Sequence, residues 1–471
     1  MSTRTSSLCS QQTPTPPPSR DAARSEMMEM DADTLERSVL ERIVPSKEEI
    51  LSISERAARL KSMVQDYILD HGIDIDIMFA GSFSKGTFLS NPDLDLFLMF
   101  PESVPKKDLE RIGLQAGEDI LHGERMFSEH PYTRGVFEGL DVDMVPCYHL
   151  TTTDKLQSAV DRTPFHTAYI CKTLSSEQKD QVRLLKKFMK GIGTYGAEQD
   201  SRGFSGYLCE VLIVKYGSFR GVLEGAQSWR EGTVIEVEGR GPAMKAPLVV
   251  YDPVDPRRNM ASSVHLDTMC MFIAAAAAYL KEPSERFFFT PEREPLSVDG
   301  LRDIAAMHGS RLVSVVFDRP DIIEDSLFSQ LWKTQIAIGK KLDEFSFGVL
   351  RAVHDMDDSK MTVVFELEKD TLPRTRKHFG PPVWVNSSEN FLSRWEDNPN
   401  GEPFIEDGRW TVIADRPYTR ADEMIAGEAS MSGAGKNLDI GSMKVYDHDR
   451  TLECINPLLI TKLLVPKMPW E

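Results

Sequence analysis

From about Thr34 to Leu69 apolar residues recur at helical spacing, and just beyond it the period changes: Ile73, Ile75 and Ile77 alternate with Asp74 and Asp76. Period-two alternation is the mark of a strand with one wet face. It returns after Gly81-Ser82 and a short polar stretch. From Asp93 to Phe100, Leu94, Leu96 and Leu98 point one way while Asp93 and Asp95 point the other. Leu140 to Val145 predicts a third strand, with Asp141 and Asp143 on one face. Val182, Leu185, Phe188 and Ile192 then mark a helix from Gln181 to Ile192, ended by Gly191 and Gly193, and the stretch to about Glu285 reads as mostly helical.

The C-terminal part changes character. Leu312 to Phe317 predicts a strand, and Leu327, Leu331, Ile338, Leu342 and Phe345 mark one face of a long helix. Met361 to Glu368 alternates again, so a small α+β layer is expected there. Gly380-Pro381-Pro382 is expected to open a loop-rich final segment. Residues 1–32, with Thr-Pro-Thr-Pro-Pro-Pro and almost no aliphatic side chains, are expected to be a disordered extension; translation starting at Met27, Met28 or Met30 is the alternative. The pattern divides the rest into a mixed part over 33–160, a helical part over 161–285 and a C-terminal part over 286–471. No internal repeat is visible.

A chain of 471 residues exceeds one ordinary core, which agrees with that division. Hydrophobic residues make up 41% and charged residues 27%, the balance of a soluble globular protein. The longest apolar run, Met269 to Leu280, is too short for a membrane span of roughly 20 residues and predicts a buried helix. No signal segment opens the sequence, and no membrane association is expected. Cys9, Cys147, Cys171, Cys209, Cys270 and Cys454 form no C-x-x-C pair, as expected of reduced thiols in a cytoplasm. The net charge of −18 argues against a nucleic-acid partner only if the surface is uniformly acidic. Between Asp161 and Arg220 ten Lys/Arg face six Asp/Glu, which is either a phosphate-facing stretch or a chance cluster on a solvated face.

The run Gly81-Ser82-Phe83-Ser84-Lys85-Gly86-Thr87, followed by Asp93-Leu94-Asp95, carries the chemistry. Two carboxylates at i and i+2 on a strand share a face, and holding them close is costly without a cation between them. Mg²⁺ takes hard oxygen ligands and keeps positions open for phosphate oxygens and water. A Gly-Ser turn upstream offers N–H groups and a hydroxyl to a triphosphate. A strand aspartate nearby, Asp141 or Asp143, completes a metal cage. Asp74-Ile75-Asp76 has the same spacing but precedes the turn, so it reads as a solvated strand edge.

This combination resembles the DNA-polymerase-beta-like nucleotidyltransferases. The segments GSFSKGTFLSNPDLDLFLMFP, HPYTRG, VDMVPCY, AVDRTPFHTAYI, VRLLKKFMKGIGTYGAE, RGFSGYLCEVLIVKYGSF, DPVDPRRNMAS and PFIEDGRW resemble, in order and spacing, the archaeal (class I) CCA-adding tRNA nucleotidyltransferases. The resemblance runs from about residue 34 to at least Arg420 and is strongest over 81–260. It implies an α+β multidomain protein with a polymerase-beta-like nucleotidyltransferase catalytic domain, a helical central (neck) domain and an α+β C-terminal tRNA-binding body.

The resemblance further implies that Asp93, Asp95 and Asp143 are catalytic Mg²⁺ ligands, Asp143 rather than Asp141 because it directly precedes Met-Val-Pro-Cys-Tyr. Asp93 stands where the family often has glutamate. Ser82 matches a triphosphate-binding serine, and Lys85 falls where the family commonly has arginine. Thr163, His166, Lys186 and Tyr195 match nucleotide- or phosphate-contacting positions for ATP and CTP. Arg258 matches a base-reading arginine, with pairing to Asp252 or Asp255 as its plainer alternative. The implied activity is template-independent addition of C, C and A to the 3′ end of tRNA from CTP and ATP. The implied partner is tRNA, gripped at its acceptor arm by a homodimer. A poly(A) polymerase or oligoadenylate-synthetase-like enzyme shares the carboxylates, a silent RNA-binding scaffold needs none of them, and an antibiotic-modifying nucleotidyltransferase does not need two further domains.

Overall fold

The computed structural model describes residues 31–126, 130–322, 324–428, 433 and 435–471. The expected disordered extension, with Cys9 and the alternative start methionines, therefore lies outside the described residues except for Asp31 and Ala32. Ala32 is already helical. The long helical pattern is two helices, α1 (Ala32–Ile43) and α2 (Lys47–Asp70), broken at Pro45. Proline cannot donate its missing N–H inside a helix. Ser46 restarts the chain with a capping box, its hydroxyl accepting from Glu49 N while the Glu49 carboxylate accepts from Ser46 N.

The first sheet is built from β1 (Asp76–Phe79), β2 (Leu94–Phe100), β3 (Glu124–Met126), β4 (Tyr132–Phe137) and β5 (Leu140–Tyr148), in the order β1-β2-β5-β4-β3. Between them lie the one-turn helix α3 (Gly81–Lys85) and the longer α4 (Lys106–Leu121). Only β2 and β5 run parallel. The alternation at Ile73–Ile77 is a strand from Asp76 onward, and Asp76 pairs with His149 at the sheet edge. One face buries Leu94, Leu96, Leu98, Phe100, Val142 and Met144 under α2 and α4. Helix α4 lies close because Gly113 and Gly117 lack side chains; a Cβ there would come within 2.5 Å of Pro146 and 2.4 Å of Thr133.

A second core is helical: α5 (Thr163–Thr173), α6 (Ser176–Gly191), α7 (Gly206–Tyr216), α8 (Phe219–Ala226) and α9 (Leu266–Lys281). Helix α1 packs into this core through Leu35, Val39 and Ile43, although its sequence adjoins the sheet. The apolar run Met269 to Leu280 lies within α9, which buries Met269, Phe272, Ala275, Ala276 and Tyr279. The stretch expected to be mostly helical to about Glu285 is interrupted between α8 and α9. There a short parallel pair, β6 (Thr233–Ile235) with β7 (Leu248–Val250), and a loop pinned by Asn259 replace it. The loop's Gly and Pro residues, 232, 239, 241, 242 and 247, cannot sustain a helix.

The C-terminal part begins with α10 (Val298–His308), β8 (Arg311–Asp318), α11 (Glu324–Glu344), β9 (Val349–Met356) and β10 (Lys360–Leu367). The expected loop-rich ending is instead folded. β11 (Thr375–Pro382), α12 (Ser388–Arg394), β12 (Phe404–Glu406) and β13 (Arg409–Asp415) form a three-stranded sheet with its helix. Gly380-Pro381-Pro382 ends β11 at a register shift against β13, the kind of bulge that tolerates prolines in a strand. Then α13 (Ala421–Glu428), β14 (Lys444–Tyr446), α14 (His448–Cys454) and α15 (Pro457–Leu464) return to the larger sheet, ordered β14-β8-β10-β9. Trp470 reaches back to stack on Phe287, ring centroids 5.0 Å apart. Among the described residues no helix is long and apolar enough to cross a membrane.

Candidate active site

The parallel pairing of β2 with β5 sets Asp95 directly opposite Asp143. Partners in register point to the same face, and neighbouring strands lie about 4.8 Å apart. The alternation that buries Leu94 and Leu96 thus delivers two carboxylates from different strands to the opposite face. Asp93, two residues before Asp95, reaches the same face and is exposed at its lip. Beneath them a small apolar patch of Ala80, Phe97, Met99, Val145 and Cys147 closes the sheet. Burial first, then the charges of Asp143 and Asp93, pushes the Asp95 carboxyl up to about 6. Burial also raises Asp93, with Asp141 and Asp143 adding to the shift and Arg134 opposing it.

Gly81 opens α3 at φ +64, and a Cβ built there would meet Asp95 Oδ2 at 1.8 Å. Its glycine is required twice, by the left-handed backbone and by the carboxylate lying against it. Ala80 N donates to Asp95 O at 2.8 Å, which fixes the turn to the strand. Ser82 follows, partly exposed, on the turn that carries the Asp95 contact.

Lys85 closes α3, but its side chain does not reach solvent. Its Nζ donates to Glu210 Oε2 at 2.9 Å, and Lys186 Nζ donates to Glu210 Oε1 at 3.1 Å and to the Thr87 hydroxyl at 3.1 Å. Lys85 is 5%, Lys186 3% and Glu210 1% exposed. Burial alone would raise the Glu210 carboxyl; Lys186 and Lys85 outweigh it and hold the group below the usual range. Glu210, carried by α7, joins the Gly-Ser turn of the sheet to α6 of the helical core. The sequence carries a signal for it: a lone acid inside the apolar run Leu-Cys-Glu-Val-Leu-Ile-Val. The Tyr195 hydroxyl sits against Gly206 beside the Lys186 amine; a Cβ on Gly206 would lie 3.0 Å from the one and 3.6 Å from the other.

A further cluster gathers on Asp252. His166 Nε2 lies 2.9 Å from Asp252 Oδ2, the Tyr207 hydroxyl donates to Oδ1 at 3.2 Å, and Arg258 donates to Oδ2 at 3.2 Å. His166 stacks on Tyr207 at 3.9 Å, and burial holds its imidazole below the usual histidine range. Thr163 begins α5 one turn before His166. Lys85 Nζ lies 5.1 Å from the Tyr207 ring centre, so this cluster adjoins the lysine–Glu210 group. The structure therefore links the predicted residues where sheet meets helical core. Asp93, Asp95 and Asp143 lie on one sheet face, Ser82 on the turn against Asp95, and Lys85, Lys186 and Tyr195 behind that turn. Thr163, His166 and Arg258 lie in the adjoining cluster. One pairing was not foreseen for them, that both lysines are held by Glu210; Arg258 meets Asp252, the plainer of its two expected roles. Tyr207 carried no isolating signal in the sequence.

Arg134 was also missed. It grips Asp143 with two parallel bonds, Nε to Oδ1 and Nη2 to Oδ2, both 2.7 Å. Much of the basic excess over 161–220 proves internal: Arg183 donates to the Phe88 and Gly86 carbonyls, Arg162 to Asp255, and Arg220 to Glu36 and Asp33.

Three family models match the chain. They are "Nucleotidyltransferase domain" over residues 59–166, "tRNA nucleotidyltransferase, second domain" over 180–289 and "CCA-adding enzyme, C-terminal domain" over 308–446. The chain is 36% identical over 418 residues to the CCA-adding enzyme of Methanosarcina barkeri, covering 86% of this chain and 91% of that one. It is 40% identical to the CCA-adding enzyme of Methanoregula boonei, covering 77% and 80%. To that of Halobacterium salinarum it is 35% identical, covering 91% and 96%.

Proposed function

Since the chain belongs to the archaeal CCA-adding enzyme family, we propose that Asp93, Asp95 and Asp143 are the ligands with which it holds Mg²⁺ for CCA addition. The protein is a CCA tRNA nucleotidyltransferase: without a template it adds C, C and A to the 3′ end of tRNA, and its substrates are tRNA, CTP and ATP. The nucleotidyltransferase family generally uses a divalent metal. The observation that carries the ligand assignment is Asp95 set opposite Asp143 across β2 and β5, with Asp93 beside them. Three mutually repelling carboxylates on one partly buried face suit a hard divalent cation. When bound, such ions lower the pKa of the attacking 3′-hydroxyl and neutralise charge building on the triphosphate.

The remaining chemistry falls to the chain's own side chains. The tRNA 3′-oxygen attacks the α-phosphorus, and the bond from that phosphorus to the pyrophosphate oxygen breaks. Ser82 offers a hydroxyl to the triphosphate from the turn against Asp95. Lys85, Lys186 and Glu210 together carry one net positive charge fixed behind that turn, which attracts phosphates without needing to reorganise. Tyr195 borders the same group. Thr163 and His166 contact the nucleotide, and Arg258, anchored on Asp252 by one amine, turns its outer edge to the base. Cytosine and adenine share an exocyclic amino donor at the edge where uracil and guanine lack it, so an acceptor left unpaired by the wrong base gives discrimination.

The resemblance supports a homodimer that grips the acceptor arm with its C-terminal body. The free state of the five described cysteines supports a reducing, cytoplasmic setting. The test is a tRNA transcript lacking CCA, incubated with Mg²⁺ and single labelled nucleotides. Two C additions followed by one A are expected; long A tails with no C incorporation would assign the protein to the poly(A) polymerases instead.

A further inference from the structure

We propose that Arg134 is a positioning residue that stands in for the metal: in the metal-free enzyme it holds Asp143, and a divalent ion displaces it. The proposal rests on the reading of Asp93, Asp95 and Asp143 as metal ligands. Arg134 is the register partner of Asp143 across the antiparallel β4–β5 pair, so both side chains leave the sheet on the face that carries Asp95. The two bonds at 2.7 Å use both carboxylate oxygens of Asp143 in one planar fork. As they are placed, no three His, Cys, Asp or Glu side chains among the described residues stand close enough together to hold a metal ion.

The charge arrangement gives the fork its purpose. Asp93, Asp95 and Asp143 share one face of the sheet; of the other cations that act on them, Lys85 is committed to Glu210 and Lys190 acts on Asp93 alone. Arg134 is the cation that bonds one of the three carboxylates directly. Its mobility is confined to the side chain. The Asp143 side chain is 14% exposed but that of Arg134 is 48% exposed, so the arginine reaches in from solvent. The strand beneath it is held on both sides, Arg134 pairing with Glu124 of β3 and with Asp143 of β5. The guanidinium already lies over the Tyr132 ring, 5.9 Å from its centre, so it can swing outward from Asp143 while β4 stays in place. A purely structural arginine would strengthen the site; a stand-in competes with the ion.

The experiment is Mn²⁺ binding to the full chain without tRNA or nucleotide, read by electron paramagnetic resonance, with Asp95→Asn defining binding elsewhere. Arg134→Gln is expected to bind site-specific Mn²⁺ about fivefold more tightly, the release of one partly exposed ion pair. Arg134→Lys, which keeps the charge but loses the fork, falls between it and the wild type. In chelator Arg134→Gln melts lower than the wild type, and Mn²⁺ restores more of its stability. Equal or weaker Mn²⁺ affinity in Arg134→Gln overturns the proposal, and if that variant does not fold, the same result in Arg134→Lys does so. Wild-type binding that Asp95→Asn leaves unchanged would instead remove the metal-ligand reading beneath it.

Discussion

Replacing Glu210 by Gln keeps the shape of the side chain and deletes one charge from a fully buried group of three. Each lysine amine lies about 3 Å from a Glu210 oxygen, and at an effective dielectric constant of about 20 such a pair is worth roughly 5 kcal/mol before desolvation. The variant does not lose both pairs, because a lysine can shed its proton. Moving a lysine from its ordinary pKa to neutrality at pH 7 costs about 4–5 kcal/mol, and that relief caps the loss. A destabilisation of about 3–5 kcal/mol follows, the range for breaking a buried pair by removing one partner. The pH dependence is the signature. A lysine with a depressed folded-state pKa binds fewer protons folded than unfolded, so the variant's stability rises with pH until the unfolded lysine titrates near 10. Its deficit should narrow by about 2–3 kcal/mol between pH 7 and pH 9, one proton's worth per unit. Urea unfolding of wild type, Glu210→Gln and Glu210→Gln/Lys186→Met at both pH values measures this, and the double variant should recover part of the loss. A deficit under 1 kcal/mol, or one that does not change with pH, would refute the buried-triad account.

Gly81→Ala should lower turnover about a hundredfold with little effect on tRNA affinity, because the new methyl displaces Asp95 by more than an ångström; single-turnover rates and filter binding check this, and normal turnover would show that the Asp95 position is not critical. Asp95→Asn should abolish incorporation yet melt higher than the wild type in chelator at pH 7.5. Its carboxyl, at about 6 in the fold, binds a proton more readily folded than unfolded, so its contribution falls as pH rises through the window from about 4 to 6 and costs on the order of 1–3 kcal/mol above it. The difference should vanish below about pH 4, and a lower melting temperature at pH 7.5 would contradict the crowded-carboxylate reading. Arg258→Ala should lower discrimination of CTP over UTP by about ten- to a hundredfold, one charged hydrogen bond; equal slowing with CTP, ATP and UTP would confine Arg258 to bracing Asp252.

The parts of the fold legible in the sequence were those where one period runs long enough to commit a face. Leu94, Leu96 and Leu98 are all fully buried, and the strand and its two wet aspartates followed from that alternation alone. Helix α9 was legible because its apolar run exceeds any strand. Pattern fails where tertiary contacts decide. The β6–β7 pair is three residues per strand, too short to carry a period. Helix α1 lies beside the sheet in sequence but packs with α6, a choice made by Leu35, Val39 and Ile43 meeting the helical core. β11 carries two prolines at its end, which read as a loop until the bulge that accommodates them is seen.

The site divides along the same line. The aspartates proposed to hold the metal belong to local motifs, but the partners of the site residues come from other segments: Arg134 across one strand pairing, Glu210 from 125 positions beyond Lys85, and Asp252 from 86 beyond His166. The family resemblance assigns Lys85 and Lys186 to the nucleotide, with a solvated surface lysine as the alternative for Lys186, and it cannot see that the two share one buried acid. That arrangement changes what the positive charge does. Free lysines would have to fold onto an arriving triphosphate and lose their side-chain entropy there. Lysines already locked on Glu210 present a fixed field at the Gly-Ser turn, so the phosphates alone must be ordered. Across the cleft, charge works differently, because Arg134 reaches Asp143 from solvent and its bonds can be exchanged. The site thus holds one set of charges that the core fixes, which on the proposed reading faces the triphosphate, and one at its solvent edge, which on the proposed reading a metal ion replaces.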